Sequence, residues 1–400
     1  MTGSTPLHLA VALDGAGWHP AAWREPDADP AGLFGAAYWL NLVTKAQRGH
    51  LDFVTFEDSL GIQSTRFDGP DERIGQVRGR LDANLIAARV APLTSNIGLV
   101  PTVTVTHTEP FHISKAIATL DYVSTGRAGW QARVSPSAAD ATLFGRREIP
   151  AFTLADRDKP EVAAILADLF DEAADVIEVV RRLWDSWEDD AIIRDVASGR
   201  FVDTARLHYI GFSGKWFDVK GPSITPRPPQ GQPLVTSLAH GTIPYRLAAR
   251  GADLVYVTPR DIDHAQAIVT EVRAEQEAAN RAGEPLHVFG DLVVFLDETE
   301  RAARDRKARL DERAGAEYRS DARIFAGTPA QLADLLVQWQ ASGLTGYRLR
   351  PAALPHDLTA IVDGLVPELQ ARAVFRREYE ASTLRGLLGL SRPANRYATV

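Results

Sequence analysis

Side chains able to do chemistry gather where short apolar runs of this chain end. Glu57, Asp58 and Ser59 follow the run Phe53 to Phe56 directly. Thr102, Thr104, Thr106, His107, Thr108 and Glu109 crowd the end of the alternating, β-branched run Ile97 to Val105. Trp130, Gln131, Arg133 and Ser135 close the next extended run, and Ser237-Leu238-Ala239-His240-Gly241-Thr242 joins a further one to a helix. Carboxylates, imidazoles and hydroxyls at the C-terminal ends of neighbouring strands meet around one mouth in a parallel α/β barrel, and ligands bind there. Arginine in a strand must face an opening or an acid, because unpaired burial is costly. Free amides at a helix start, with the dipole behind them, suit an anion such as phosphate. Each feature also has a plainer reading: helix capping for Asp58 and His112, barrel filling for Trp130, a tight turn for Gly241. Trp18 and His19, just past the first run, are poised between the same two readings.

Other chemistries lack their spacing. The ten histidines are scattered, and the neighbours Asp263-His264 and His356-Asp357 sit at helix starts, where capping explains them. No metal site is therefore expected. Gly-x-Ser-x-Gly, Gly-x-Gly-x-x-Gly and the phosphate loop ending Gly-Lys-Ser/Thr are all absent from the sequence. The net charge of −8, with acids and bases interspersed, argues against nucleic acid. Cysteine is absent, which excludes disulfides and thiolate metal sites. No run approaches about 18 consecutive apolar residues, and the N-terminal stretch has no basic region, so a cytoplasmic soluble protein is expected.

The elements that must position these residues alternate strand and helix. Strands are expected at Leu7–Leu13, Phe53–Phe56, Ile97–Val105, the run ending at Ser135, Pro233–Leu238, Asp253–Thr258, Leu286–Leu296 and Tyr347–Arg350. Helices are expected between them, including Tyr38–Arg48, Leu81–Leu93, Phe111–Val123, Glu161–Trp187, Thr242–Arg250, Asp261–Arg281, Glu300–Ala316, Thr328–Ala341 and a closing Leu358–Phe375. Eight strands each followed by a helix fit an α/β fold of the (β/α)8 TIM-barrel type, with an open sheet as the alternative. The 400 residues then form one domain, with an insertion at about 136–159 after strand four and a Gly- and Pro-rich, lid-like excursion at 188–232 before strand five. A basic, loop-rich tail runs from 376 to 400.

Several stretches together carry a resemblance: WREPDADP (Trp23 to Pro30), FEDS (Phe56 to Ser59), EPFH (Glu109 to His112), ATLDYVSTGRAGW (Ala118 to Trp130), LWDSWEDDAIIRD (Leu183 to Asp195), GKWFDVKGP with PRPPQGQP, and the tail VPELQARAVFRREYE with RPANRY. The chain resembles the flavin-dependent monooxygenases of the bacterial luciferase-like family, in the branch of nitrilotriacetate, dibenzothiophene-sulfone and long-chain-alkane monooxygenases. The resemblance implies a barrel that binds reduced flavin mononucleotide (FMN) at its mouth. It also implies a separate flavin reductase as transient partner, O2 as co-substrate, a small organic substrate oxidised through a C4a-(hydro)peroxyflavin, and assembly as a homodimer or higher homo-oligomer. The excursion 188–232 would be the lid that keeps water from the flavin.

Position by position, the resemblance sets Asp58 near the flavin ring, with Thr102 or Thr104 as the strand-three polar group beside it. Gln131 stands for the family's Asn, and Ser135 for its Ser. Ala239, His240, Gly241 and Thr242 form the phosphate loop. There the family's Gly-x-Ser-x-x-Gly becomes a run with Gly241 in place of Ser. Its Asp-Glu-Arg-Tyr becomes Ala167-Asp168-Leu169-Phe170, so Phe170 stands where a hydroxyl is usual. Each lost hydrogen bond weakens flavin binding by about 1 kcal/mol. His107, Trp130 and Arg133 are the expected catalytic residues, and Arg133 hints at an anionic substrate. A deazaflavin-dependent oxidoreductase on the same barrel and a non-catalytic flavin-binding paralogue are the alternatives.

Overall fold

The computed structural model describes residues 6–64, 66, 68–157, 159–281 and 286–398. The first five residues, part of the stretch read for a signal peptide, lie outside them. Eight parallel strands close into a ring: β1 (His8–Leu13), β2 (Phe53–Phe56), β3 (Gly98–Thr104), β4 (Gly129–Arg133), β5 (Leu234–Leu238), β6 (Leu254–Val257), β7 (His287–Leu296) and β8 (Gly346–Pro351). Neighbours in sequence are neighbours in the ring, and β8 returns to β1 with Gly346 opposite His8. The strands read apolar throughout because one face lines the interior while the other packs beneath helices. Residues such as Val11, Val54, Leu99, Trp130, Val235 and Leu349 form that outer layer with the helices.

Phe53, Val100, Leu234, Leu254 and Phe289 fill the interior toward the strand N-termini. The tail, expected to be loop, carries a short helix, Leu384–Leu387, and Leu384, Leu388 and Leu390 close that end. A Cβ at Gly346 would lie 2.6 Å from the Phe289 ring and 2.8 Å from His8 Cβ, so this packing requires glycine.

Three departures from expectation have physical causes. A ninth strand, Arg323–Gly327, adds to the C-terminal half of β7. The closing helix is not continuous: Ile361–Leu365 forms a π turn ahead of Pro367, which has no N–H for the α ladder. The excursion 188–232 forms two small antiparallel ribbons, Ile192–Asp195 with Arg200–Val202 and Phe212–Ser213 with Asp218–Val219. It stands beside the mouth rather than in its walls: Lys215 and Trp216 bond Asp168 of the helix Pro160–Asp185. Arg227 pairs with Asp185 at the C-terminal end of the long helix Pro160–Asp185, and Gln230 bonds Asp121 and the carbonyl of Ala128 at the start of β4. Those contacts fasten its return to the opposite end of the barrel, and none of its residues lines either mouth cavity. Among the described residues, no helix is long and apolar enough to cross a membrane.

Candidate active site

At the strands' C-terminal ends lies a cavity of about 820 Å³. Phe152, Leu166, Phe170 and Leu238 give it apolar walls, with Phe152 from the 136–159 insertion and Phe170 from the long helix. Its opposite side is a helix start. Thr242–Gly251 begins at the cavity, and the first amides, Thr242 and Ile243, have no intrahelical acceptor. Gly241 has φ 170° and ψ −175°, extended backbone open to any residue, so the tight-turn reading is corrected. A Cβ there would meet nothing within 4 Å, which leaves the amides approachable.

The floor is charged and fully buried. Arg348 and Arg350 alternate along β8 and both grip Asp291 of β7, at 2.6 and 3.0 Å from Arg348 and 2.5 and 2.9 Å from Arg350. Arg348 also donates to Gln131 (2.6 Å) and Glu57 (3.2 Å), and its guanidinium lies 3.7 Å from the centre of the Tyr256 ring. Arg350 donates to Asp321 at 2.7 Å and stacks on Trp18 at 4.5 Å. Burial opposes both arginine charges, but the Asp291 carboxylate outweighs it and raises both pKa values. Burial likewise opposes the charge of Asp321, and Arg350 overcomes it and holds that carboxyl far below its usual range. His240 reaches Asp321 at 3.4 Å and Thr258 at 3.0 Å; burial lowers its pKa, which favours the neutral ring.

Of the expected site residues, Gln131, Arg133, Phe170, His240, Gly241 and Thr242 line this cavity. Ala239 is buried just beneath, its amide bonded to the Tyr256 carbonyl at 2.9 Å. Arg133 is exposed at the mouth, with one nitrogen donating to the carbonyl of Asp58 at 2.5 Å. The rest are placed elsewhere. The Asp58 carboxylate accepts from the amides of Ser59 (2.7 Å) and Ala83 (3.0 Å), and so caps the helix Ala83–Val90; burial raises its pKa. Trp130 faces away from the interior, because strand neighbours alternate sides; it is fully buried in the outer layer with Ile117, Ile177 and Trp184. Thr102 and Thr104 are buried on β3, Thr102 in register with Gln131 and its hydroxyl without a partner among the described residues. Ser135 spends its hydroxyl on Asp140 (2.6 Å). His107 stacks on Phe144 at 5.0 Å outside the cavity. Its Nε2 is unpartnered among the described residues, and burial followed by the charge of Arg147 lowers its pKa. Arg348, Arg350, Asp291 and Asp321 were missed, although two arginines at period two inside an apolar strand were a readable signal.

The apolar-walled, charge-floored cavity at the mouth of this closed parallel barrel is the place where barrel enzymes bind their ligands. Residues 17–323 match the family described as luciferase-like monooxygenase, and the chain belongs to that family. It is 30% identical to nitrilotriacetate monooxygenase component A of Aminobacter aminovorans, over 100% of this chain and 99% of that one. It is 29% identical to the N-acetyl-S-(2-succino)cysteine monooxygenase of Bacillus subtilis strain 168, over 98% of each chain. The solved EDTA monooxygenase from Chelativorans sp. BNC1 superposes with a TM-score of 0.81 at 25% identity, covering 97% of this chain and 99% of that one. The chain is accordingly an oxidoreductase of a family of flavin-dependent monooxygenases.

Proposed function

We propose that the chain is the oxygenase component of a two-component system: it takes reduced FMN from a separate reductase and, with O2, oxidises a small organic substrate bearing carboxylates. The observation that carries this reading is the 820 Å³ cavity, which joins apolar walls to a helix start at one side and to Arg133 at another. Its residues fit a flavin. Phe152, Leu166 and Phe170 offer faces for a tricyclic ring and shed water. The amides of Thr242 and Ile243, uncrowded by a side chain at Gly241, would take the phosphate. Gln131 and Arg348 hold hydrogen-bond donors at the floor, where they would orient the polar edge of the ring. When bound, reduced flavin supplies the oxygen activation that amino-acid side chains lack.

Nitrilotriacetate, N-acetyl-S-(2-succino)cysteine and EDTA, named for the three relatives, are all polycarboxylates. Arg133 matches that chemistry: its guanidinium faces the cavity and among the described residues it has no carboxylate partner. A homodimer in the cytoplasm remains part of this reading. The test supplies the chain with FMN, a flavin reductase, NADH and 18O2 in the presence of nitrilotriacetate-like substrates. Incorporation of one labelled oxygen atom per oxidised product supports the proposal. Oxygen uptake that no carboxylate alters contradicts it, and turnover of a reduced deazaflavin without oxygen would favour the sister chemistry.

A further inference from the structure

Two side chains at the floor of the 820 Å³ cavity are each half used, and both are tied to one nitrogen of Arg348. Arg348 Nη1 donates to Gln131 Oε1 at 2.6 Å and to Glu57 Oε1 at 3.2 Å. The Thr55 hydroxyl donates to the same Glu57 oxygen at 3.0 Å. A guanidinium can only donate, so the Gln131 oxygen must meet it and the NH2 must point away. Glu57 Oε2 and Gln131 Nε2 have no hydrogen bond among the described residues, and both side chains line the cavity. The other carboxylate of the lining, Asp321, gives both its oxygens to Arg350.

The strands bring these groups to one layer. Phe53 and Val100 fill the interior nearer the base, and residues two apart share a strand face. Thr55 and then Glu57 on β2, and Thr102 on β3, therefore point inward above them. Gln131 on β4 stands in register with Thr102, whose buried hydroxyl is itself unpartnered among the described residues. A nearly buried carboxylate oxygen without a donor is costly, and a ligand N–H removes that cost. An acceptor beside a donor is the complement of a cyclic imide, in which an N–H adjoins a carbonyl.

We propose that Glu57 and Gln131 form a receptor for an imide edge, with Glu57 Oε2 accepting its N–H and Gln131 Nε2 donating to the adjoining carbonyl. The assignment rests on the flavin reading of this cavity and deepens it. The pyrimidine end of an isoalloxazine carries such an imide, so the ring enters with its N3–H toward β2. Glu57, rather than the helix-capping carboxylate of Asp58, is then the acid at the end of β2 that recognises the ring. Glu57→Gln reverses the match without changing shape: the amide oxygen must stay on Arg348, so an NH2 would face the incoming N–H.

Isothermal titration of the full chain under dinitrogen, with reduced FMN and with its N3-methyl derivative, tests this. The parent chain should prefer reduced FMN by about tenfold or more, because the methyl group removes the N–H and occupies its place. Glu57→Gln should weaken reduced FMN by about tenfold or more. The same substitution should change binding of the methyl derivative by no more than about twofold, so that the preference disappears. Equal affinity of the parent for the two flavins, which needs no variant to observe, overturns the proposal. So does a variant that keeps the parent's preference, and so does an equal loss of both flavins, which would make Glu57 a mere support for Arg348. In each of those outcomes the parent still binds reduced FMN and the flavin reading stands. No binding of either flavin to the folded parent removes that reading and this assignment together.

Discussion

The two ends of this barrel use the same ingredients to opposite purpose. At the base, buried carboxylates are consumed. Asp52 takes His8 (2.8 Å), the Leu9 amide (2.7 Å) and Arg376 (2.7 Å), and Asp253 takes Arg181 (2.8 Å), the Val235 amide (2.8 Å) and Arg385 (3.4 Å). Burial opposes both charges; His8 and then Arg376 overcome it at Asp52, and Arg181 and then Arg385 at Asp253. Arg376 and Arg385 belong to the tail, so these pairs sew the C-terminus over the base. At the mouth, Asp291 organises Arg348 and Arg350 around an open volume, and Thr102 keeps a hydroxyl without a partner among the described residues. Closed charge networks fasten a fold; one left facing a cavity is prepared for a guest.

The sharpest way to break this contrast is to remove the organising carboxylate at each end. Asp52→Ala and Asp291→Ala should each cost about 3–5 kcal/mol by chemical denaturation, because each strands buried arginine. Assayed below its unfolding transition, Asp52→Ala should still bind reduced FMN, while Asp291→Ala should not. Equal retention of binding in both would erase the distinction.

A second effect belongs to the base alone. His287, bonded to the Leu388 carbonyl and Thr345, has its pKa pushed from 6.5 down to about 4 by burial and then by the charge of His8. The unfolded chain therefore binds this proton first. Stability from this group is whole above pH 6.5 and drains toward pH 4, by up to about 3 kcal/mol. Denaturation midpoints across that range should fall, and less steeply in His287→Asn; an identical slope contradicts the assignment.

Smaller effects belong to the mouth. Arg133→Ala should raise the KM for a carboxylate substrate about tenfold or more, yet change stability by no more than about 0.5 kcal/mol, since the side chain is exposed. An unchanged KM would remove Arg133 from substrate binding. Gly241→Ser, placed where a Cβ touches nothing, should tighten reduced FMN by about fivefold through one added hydrogen bond. Weaker binding on titration would show the loop does not face the phosphate.

The same contrast explains what the sequence revealed. Phe53–Phe56 was bounded to the residue, and the other barrel strands to within a residue or two, because each is a short apolar run between turn signals. The β5 loop and Arg133 were legible for the same reason: their polar groups stand directly after such runs. Arg348 and Arg350 obey the rule applied to Arg133, but the apolar frame Tyr347, Leu349 and Pro351 masked them as strand filler. Asp58 was read for its position, yet whether a carboxylate at a strand end meets a ligand or the amide of Ala83 depends on a helix that begins 25 residues later. The excursion 188–232 has a lid's composition, but its placement is set by Asp121 and Asp185 and by the tail, and contacts of that range leave no local periodicity.

Anaerobic titration of the chain with reduced FMN addresses the central claim most directly. One equivalent should saturate the protein, and Asp291→Ala should abolish the signal. Absence of saturable binding to the folded parent chain would contradict the claim that the 820 Å³ mouth cavity holds a reduced flavin.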